Sequence, residues 1–302
     1  MSRVLVTGAS GFIGRRALAP LVEAGLEVHA VSRSAPPEDL AAAAEWHTAD
    51  LLDPAAGPAL LDRLRPERML HLAWYAEHGR FWSSPENLRW VESSLGLLRA
   101  FEAAGGSRAV IAGSCAEYDW EGVDGPLAER SSPLRPATLY GTAKNALREV
   151  AEAWAPGAGV SLAWGRVFFL YGPGEHPDRL VASVARRLVA AEEAPTSEGS
   201  QRRDFMHVDD VAGAFAALTL SGVEGPVNIG TGEAVAVSEV VGAVARAAGR
   251  PDLVRAGALE TRPGEPPLLV ADATRLRSEV GFAPRVGLEE GVAGAVDWWR
   301  AR

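Results

Sequence analysis

The stretch "VTGASGFIGRR", Val6 to Arg16, constrains this chain more than any other. An apolar run, "RVLV", leads into it, and an amphipathic run, "FIGRRALAPLVEAG", leads out of it and closes at Gly25. Gly8, Gly11 and Gly14 therefore stand where a buried strand turns into a helix. Glycine permits the tight turn and lets backbone N–H groups approach an anion at the helix N-terminus, where the dipole favours negative charge. In that position the spacing reads as a cradle for a dinucleotide pyrophosphate, with Phe12 and Ile13 in the same turn. A glycine-rich turn with packing duties alone is the competing reading.

The rest of the first half alternates strand and helix. "LEVHAVSR" reads as a second strand, followed by a Pro- and Ala-rich helical segment. "EWHTADLLD" supplies a third short strand and "RMLHLAW" a fourth. From Pro85 to Ala104, Leu88, Val91, Leu95 and Leu98 recur at helical spacing. "RAVIAGS" is a fifth strand, "TLYGTAKNALREVAEAWA" a long helix and "VSLAWGRVFFLYG" a sixth strand. Such alternation implies an α/β fold, a Rossmann-type doubly wound parallel sheet. After Gly172 the rhythm loosens into a helix, "RRDFMHVDD", another helix, "PVNIG" and a tail. The expected organisation is a dinucleotide-binding domain over 1–172 and a smaller C-terminal substrate-binding lobe over 173–302. Residues 208–232 are expected to pack back on the first domain.

A net charge of −9 argues against nucleic acid or an anionic membrane as partner, because both select a basic face. Cys115 is the only cysteine, which excludes a disulfide framework and a Cys-based metal site. No His/Asp/Glu cluster has metal-ligand spacing, so no metal is expected. "MSRVLVTG" runs directly into a strand pattern without a signal-peptide h-region, and no apolar run reaches transmembrane length. A soluble cytoplasmic protein is the expectation.

The end of the second strand bears on which dinucleotide binds. An acid there would accept from the ribose 2′-OH of NAD, whereas an arginine accommodates the 2′-phosphate of NADP. The strand ends "VSRS", with Ser32 in place of an acid and Arg33 next. NADP is favoured, with NAD as the alternative; a merely solvated Arg33 is the other reading. Asp50 is placed either to meet the adenine amino group or to cap a helix. Leu51 beside it and Ala73 at the end of the fourth strand complete the expected cofactor-binding set.

"GSCAEYDW", Gly113 to Trp120, concentrates a hydroxyl, a thiol, a carboxylate and a phenol at the carboxyl end of the fifth strand. Downstream, "YGTAK" sets Tyr140 and Lys144 one helical turn apart. Lys144 is the single lysine among 30 basic residues, so a compact ammonium is retained where arginine serves everywhere else. A free tyrosine ionises at about pH 10, and a nearby ammonium is expected to lower that value. With the Ser114 hydroxyl holding a substrate oxygen, the set suits a carbonyl that gains hydride while Tyr140 supplies the proton.

With these residues in place, the chain resembles an extended short-chain dehydrogenase/reductase of the NAD(P)-dependent sugar-nucleotide epimerase/dehydratase family. "TGASGFIG", "HLA", the serine before "YxxxK", "YGPG", "RDFMHVDD", "NIGTGE" and "RPGE" occur in family order across nearly all of it. The resemblance implies that Ser114, Tyr140 and Lys144 are the catalytic triad, with Lys144 and Tyr140 also touching the cofactor and Lys144 holding the nicotinamide ribose. It implies that Arg203 and Arg262 clamp a substrate pyrophosphate; pairing with Asp204 or Glu265 is the alternative for either. It also implies a homodimer through the helices Pro85–Ala104 and Thr138–Ala155.

Departures from the family narrow the reaction. Members that dehydrate sugar nucleotides carry an Asp-Glu pair directly after the catalytic hydroxyl; here the two positions are Cys115 and Ala116. Glu117 is expected on an extended segment facing the opposite side, and Glu117 and Tyr118 are expected to shape the pocket mouth. Cys115 is expected as a small buried thiol beside the substrate. Phe169 stands where relatives often have Asn, and Trp90 where a second Asn is usual, with Asn87 about one turn earlier. In the loop Trp74–Trp82, Tyr75, Glu77 and His78 are candidates for sugar-hydroxyl contacts or an auxiliary proton role; a loop packed between lobes, or against a partner subunit, is the alternative. His71, inside an apolar strand, is expected to be a satisfied core histidine.

These features lead to NADP-dependent reduction of a keto group, at C4, on a nucleotide-linked deoxysugar. An NAD-dependent sugar-nucleotide C4 epimerase is the alternative. A dinucleotide-sensing binding protein without catalysis is the reading from another class.

Overall fold

The computed structural model describes residues 2–261 and 264–302. The glycine turn lies between β1 (Arg3–Thr7) and α1 (Gly14–Glu23); β2 (Glu27–Ser32), β3 (Glu45–Thr48), α2 (Ala56–Leu64) and β4 (Arg68–His71) follow. Next come α3 (Glu86–Ala103), β5 (Arg108–Ser114), α4 (Leu139–Ala158), β6 (Ser161–Val167), β7 (Phe169–Tyr171) and α5 (Leu180–Val189). The later part holds β8 (Ala194–Pro195), β9 (Arg202–Arg203), β10 (Phe205–His207), α6 (Val208–Leu220) and β11 (Gly225–Ile229). It ends with β12 (Val235–Ala236), α7 (Val237–Ala248), β13 (Val254–Arg255), β14 (Leu268–Leu269), α8 (Thr274–Ser278) and α9 (Leu288–Arg300).

Seven strands form one parallel sheet in the order β11-β6-β5-β4-β1-β2-β3. Its central strands are near-continuous apolar runs because both faces are covered. Val4, Val6, Val110 and Ala163 face α1 and α6, while Leu5, Met69, Ile111 and Trp164 face α2, α3 and α4. The strand order reverses beside β1, where β2 lies on one side and β4 on the other. A crevice opens outside the carboxyl ends of strands at such a reversal. A further core, made by α5, α7 and α9, contains Val184, Leu188, Val240, Val244, Val292 and Val296.

Several local expectations are corrected. The Pro- and Ala-rich segment after β2 forms only a short 3₁₀ turn, Glu38–Leu40; its prolines deny it the backbone donors of a longer helix. The apolar run after Gly159 is two strands rather than one. β6 stays in the large sheet, while β7 leaves it to pair with β10. On α3, Leu98 is buried but Leu88 is 60% exposed, and the buried face is completed by Asn87, Trp90, Ser94, Leu97 and Phe101.

Candidate active site

A cleft of about 1070 Å³ runs along the carboxyl ends of the sheet. One end is the glycine turn. A Cβ on Gly14 would sit 2.2 Å from the Gly8 carbonyl oxygen, so this corner admits no side chain. Gly8, Gly11, Phe12, Ile13, Gly14, Ser32, Arg33, Leu51 and Ala73 all line the cleft. A cleft this long, with a bare-backbone corner at a helix N-terminus, fits a dinucleotide. Ser32 is committed to its own turn, donating to the Ser34 carbonyl at 2.5 Å, whereas Arg33 is exposed at the rim. Asp50 is not among the lining residues and caps no helix, since α2 begins at Ala56; its carboxylate accepts from Leu52 N–H at 3.0 Å within a local turn.

Midway along the cleft stand Ser114, Tyr140 and Lys144. Ser114 is presented by the last residue of β5, and a tight 3₁₀ turn, Cys115–Glu117, follows. The Ser114 hydroxyl accepts from Ala116 N–H at 3.2 Å, and the Glu117 carboxylate accepts from Ser114 N–H at 2.8 Å. This reciprocal cap fixes the direction of the serine. α4 begins against the same turn: a Cβ on Gly141 would lie 2.1 Å from the Ala116 carbonyl oxygen. Glycine at 141 thus lets Tyr140 reach Ser114.

The Lys144 ammonium donates to the Ala112 carbonyl at 2.7 Å and lies 3.7 Å from the centre of the Trp74 indole. Burial depresses its pKa to about 7. Tyr140 is walled by Phe81 and Trp82, with ring centres 4.9 and 5.8 Å away. Burial raises its phenol above the ordinary value, and the hydrogen bond with Ser114 opposes that rise. The expected lowering of Tyr140 by Lys144 is therefore corrected. The ammonium is spent on Ala112 and Trp74, and desolvation of the phenol dominates.

Glu117 and Tyr118 do not shape the mouth. Both are fully buried behind the site, because the segment is a 3₁₀ turn rather than extended. Glu117 accepts from Trp164 Nε1 at 2.9 Å and from Arg166 Nε at 2.7 Å, and Tyr118 donates to Asn228 at 2.8 Å. Cys115 lines the cleft with its thiol pushed up to about 12 by burial, so it is a neutral thiol. His71 lies between Thr7 and Ser94, at 2.7 and 2.9 Å, with its pKa lowered to about 3 by burial: a core histidine.

On the far side of Tyr140 the wall is aromatic: Trp74, Tyr75, Phe81, Trp82, Trp120 and Phe169. Tyr75 donates to Glu77 at 2.7 Å, Glu77 pairs with Arg80 at 2.9 Å, and His78 stacks on His176 at 5.2 Å. Tyr75, Glu77 and His78 all line the cleft. Asn87, fully buried, accepts from Trp74 Nε1 at 2.9 Å and donates to Phe81 and Ser84 carbonyls, pinning this loop. Trp90 lines the cleft as well. Arg203 lines the opposite end, over Phe169, and pairs with Glu265 at 2.8 Å, the alternative weighed above. Arg262 lies outside the described residues.

Sequence reasoning missed the contact of Trp74 with Lys144, and also His176 and Arg179, which reach the cleft from the segment after β7. "HPDR" after "YGPGE" was the available signal. It also missed a cluster away from the cleft, His29, Glu45 and His47, whose members come from neighbouring strands.

The seven-stranded sheet with a cleft at its switch point defines a Rossmann-type α/β enzyme. A family model described as the NAD dependent epimerase/dehydratase family matches residues 4–230, and the chain belongs to that family. The chain is 31% identical to a UDP-glucose 4-epimerase of Streptomyces lividans over 324 residues, which cover 98% of this chain and 95% of that one. A dTDP-glucose 4,6-dehydratase of Streptomyces griseus is 28% identical over 317 residues, 99% of this chain and 94% of that one. Among solved structures, MoeE5 in complex with UDP-glucuronic acid and NAD superposes with a TM-score of 0.86 at 34% identity, covering 99% of each chain. Among the described residues, no helix is long and apolar enough to cross a membrane.

Proposed function

We propose that this enzyme reduces a keto group at C4 of a nucleotide-linked deoxysugar, with NADP as its cofactor. The observation that carries the reading is the placement of Tyr140, a neutral phenol, with Ser114 and Lys144 in the dinucleotide cleft, where no proton-moving acid follows Ser114. A protonated phenol suits delivery of a proton to a carbonyl oxygen, which is the reducing direction. Reduced nicotinamide supplies the hydride when bound. Ser114 holds the carbonyl oxygen, Tyr140 gives it the proton, and Lys144 fixes the ribose. The phenol is then reprotonated from solvent.

Dehydration is disfavoured by the residues after Ser114. Cys115 is a neutral thiol, Ala116 has no proton to move, and the Glu117 carboxylate is sealed against Arg166 and Trp164. Gly8, Gly11, Phe12, Ile13, Gly14, Leu51 and Ala73 are assigned to the dinucleotide, with Arg33 toward a 2′-phosphate. Arg203 is assigned to the substrate pyrophosphate, with Glu265 released on binding. The aromatic wall suits the apolar face of a deoxysugar. Leu88 and Val150, 60% and 50% exposed on α3 and α4, support a homodimer through these helices. The cytoplasm is the compartment that supplies NADPH and nucleotide sugars.

Epimerisation at C4 is the second reading, favoured by the likeness to the UDP-glucose 4-epimerase of Streptomyces lividans and by the NAD held by MoeE5. Mixing enzyme, NADPH and nucleotide-linked 4-keto-6-deoxy sugars separates the two. Stoichiometric loss of NADPH absorbance supports reduction. No loss there, with interconversion of separately supplied nucleotide hexoses at constant absorbance, supports epimerisation.

A further inference from the structure

Far from the triad, at the outer edge of the sheet, the side chains of His29 on β2 and of Glu45 and His47 on β3 converge. Glu45 and His47 are two apart on a strand and so share a face. His29 pairs in register with Glu45, and all three side chains lie on the side covered by α2, from which Arg63 reaches His47. His29 Nδ1 lies 3.1 Å from His47 Nε2. The Glu45 oxygens lie 3.6 Å from His29 Nδ1 and 3.7 Å from His47 Nε2.

Metal–nitrogen and metal–oxygen bonds of about 2.0–2.1 Å in a tetrahedron separate neighbouring ligand atoms by about 3.3–3.4 Å. The two nitrogens, 3.1 Å apart, approximate one such edge, and one ligand atom from each of the three residues lies within 4.8 Å of the others, with the exposed Glu45 carboxylate able to turn inward. A plain imidazole–imidazole hydrogen bond accounts for the first distance alone. That bond, with the His47 proton on Nε2, also leaves the His29 proton on the buried Nε2, which faces Glu27 Oε1 at 3.4 Å. With a metal on Nδ1, the proton of His29 resides on Nε2, facing that carboxylate, the order that holds metal-bound histidines. At His47, Arg63 donates to Nδ1 at 3.2 Å. Ligation through Nε2 moves the proton to Nδ1, so the exposed Arg63 must swing away.

The geometry points to a site for a divalent transition-metal ion of the zinc type, held by His29 Nδ1, His47 Nε2 and the Glu45 carboxylate, with water as fourth ligand. Two imidazoles and one carboxylate select such an ion over magnesium or calcium. The ion ties the short edge strand β3 to β2, the strand that ends at Ser32 and leads to Arg33. The site is separate from the reaction proposed above.

The test is zinc competition against a chromophoric chelator with the full-length protein, together with thermal unfolding with and without zinc. One equivalent of zinc is expected to bind and to raise the unfolding midpoint. His47→Ala and Glu45→Gln are each expected to weaken binding at least about tenfold, and Arg63→Ala to strengthen it. Glu45 is exposed, so Glu45→Gln reports on the site without threatening the core. The absence of zinc binding, or equal affinity in wild type, His47→Ala and Glu45→Gln, overturns the assignment.

Discussion

Trp74 lies face-on to Lys144, its indole centre 3.7 Å from the ammonium. The ring covers the one lysine of the chain, and Asn87 holds the ring in place. Trp74→Ala therefore readmits water to Lys144 and returns its pKa from about 7 toward the ordinary lysine value. In the proposed reaction a charged Lys144 is the working form, so kcat/KM of the wild type is expected to fall as pH rises through the depressed value. In Trp74→Ala that basic limb is expected to move to higher pH. A pH–rate series on both proteins checks it; an unmoved limb contradicts the role given to Trp74.

Arg33 stands exposed at the rim of the cleft, directly after β2. A charge-assisted contact with a 2′-phosphate contributes about 1.5–3 kcal/mol. Arg33→Ala is expected to raise KM for NADPH about tenfold or more and to leave KM for NADH nearly unchanged. Steady-state titration of both cofactors decides. Equal effects on both contradict the assignment.

Glu265 occupies Arg203, which is 2% exposed. If Arg203 takes the substrate pyrophosphate as proposed, the ligand displaces that carboxylate, so Glu265→Gln is expected to lower KM for the nucleotide sugar about three- to tenfold, with kcat little changed. Arg203→Ala is expected to raise KM. Opposite signs in these two variants are the signature sought.

Glu117 and Arg166 form an ion pair with both side chains at 0% exposure. Glu117→Ala leaves the Arg166 charge buried and uncompensated and also removes the acceptor of Ser114 N–H. The expected loss is about 3–5 kcal/mol, read from denaturant unfolding. A loss below about 1 kcal/mol shows that water reaches Arg166.

The alternation of strand and helix, the glycine turn and the Ser-Tyr-Lys group were legible because each rests on residue type at short range. Gly8 to Gly14, Ser114, and Tyr140 with Lys144 carry their geometry in their spacing. The direction of the Tyr140 shift was not legible, because Phe81 and Trp82 arrive from a loop more than fifty residues earlier. Glu117 faced an unexpected way for a local reason: a 3₁₀ turn rotates it toward Arg166, which comes from β6. β7 left the sheet because its partner β10 is a distant segment. His29, Glu45 and His47 meet only through the register of β2 with β3, and linear spacing does not record register.

Net hydride transfer from NADPH to sugar carbon is the central claim, and an isotope tests it most directly. The enzyme is supplied with NADPH deuterated at nicotinamide C4, both positions in separate runs, and a nucleotide-linked 4-keto-6-deoxy sugar. Mass spectrometry and NMR then locate the label. Deuterium at C4 of the product in one of the two runs is predicted, with the rate reduced at least about 100-fold in Tyr140→Phe. No deuterium in the sugar, with nucleotide hexoses supplied in its place interconverting without taking label, would contradict it and support epimerisation.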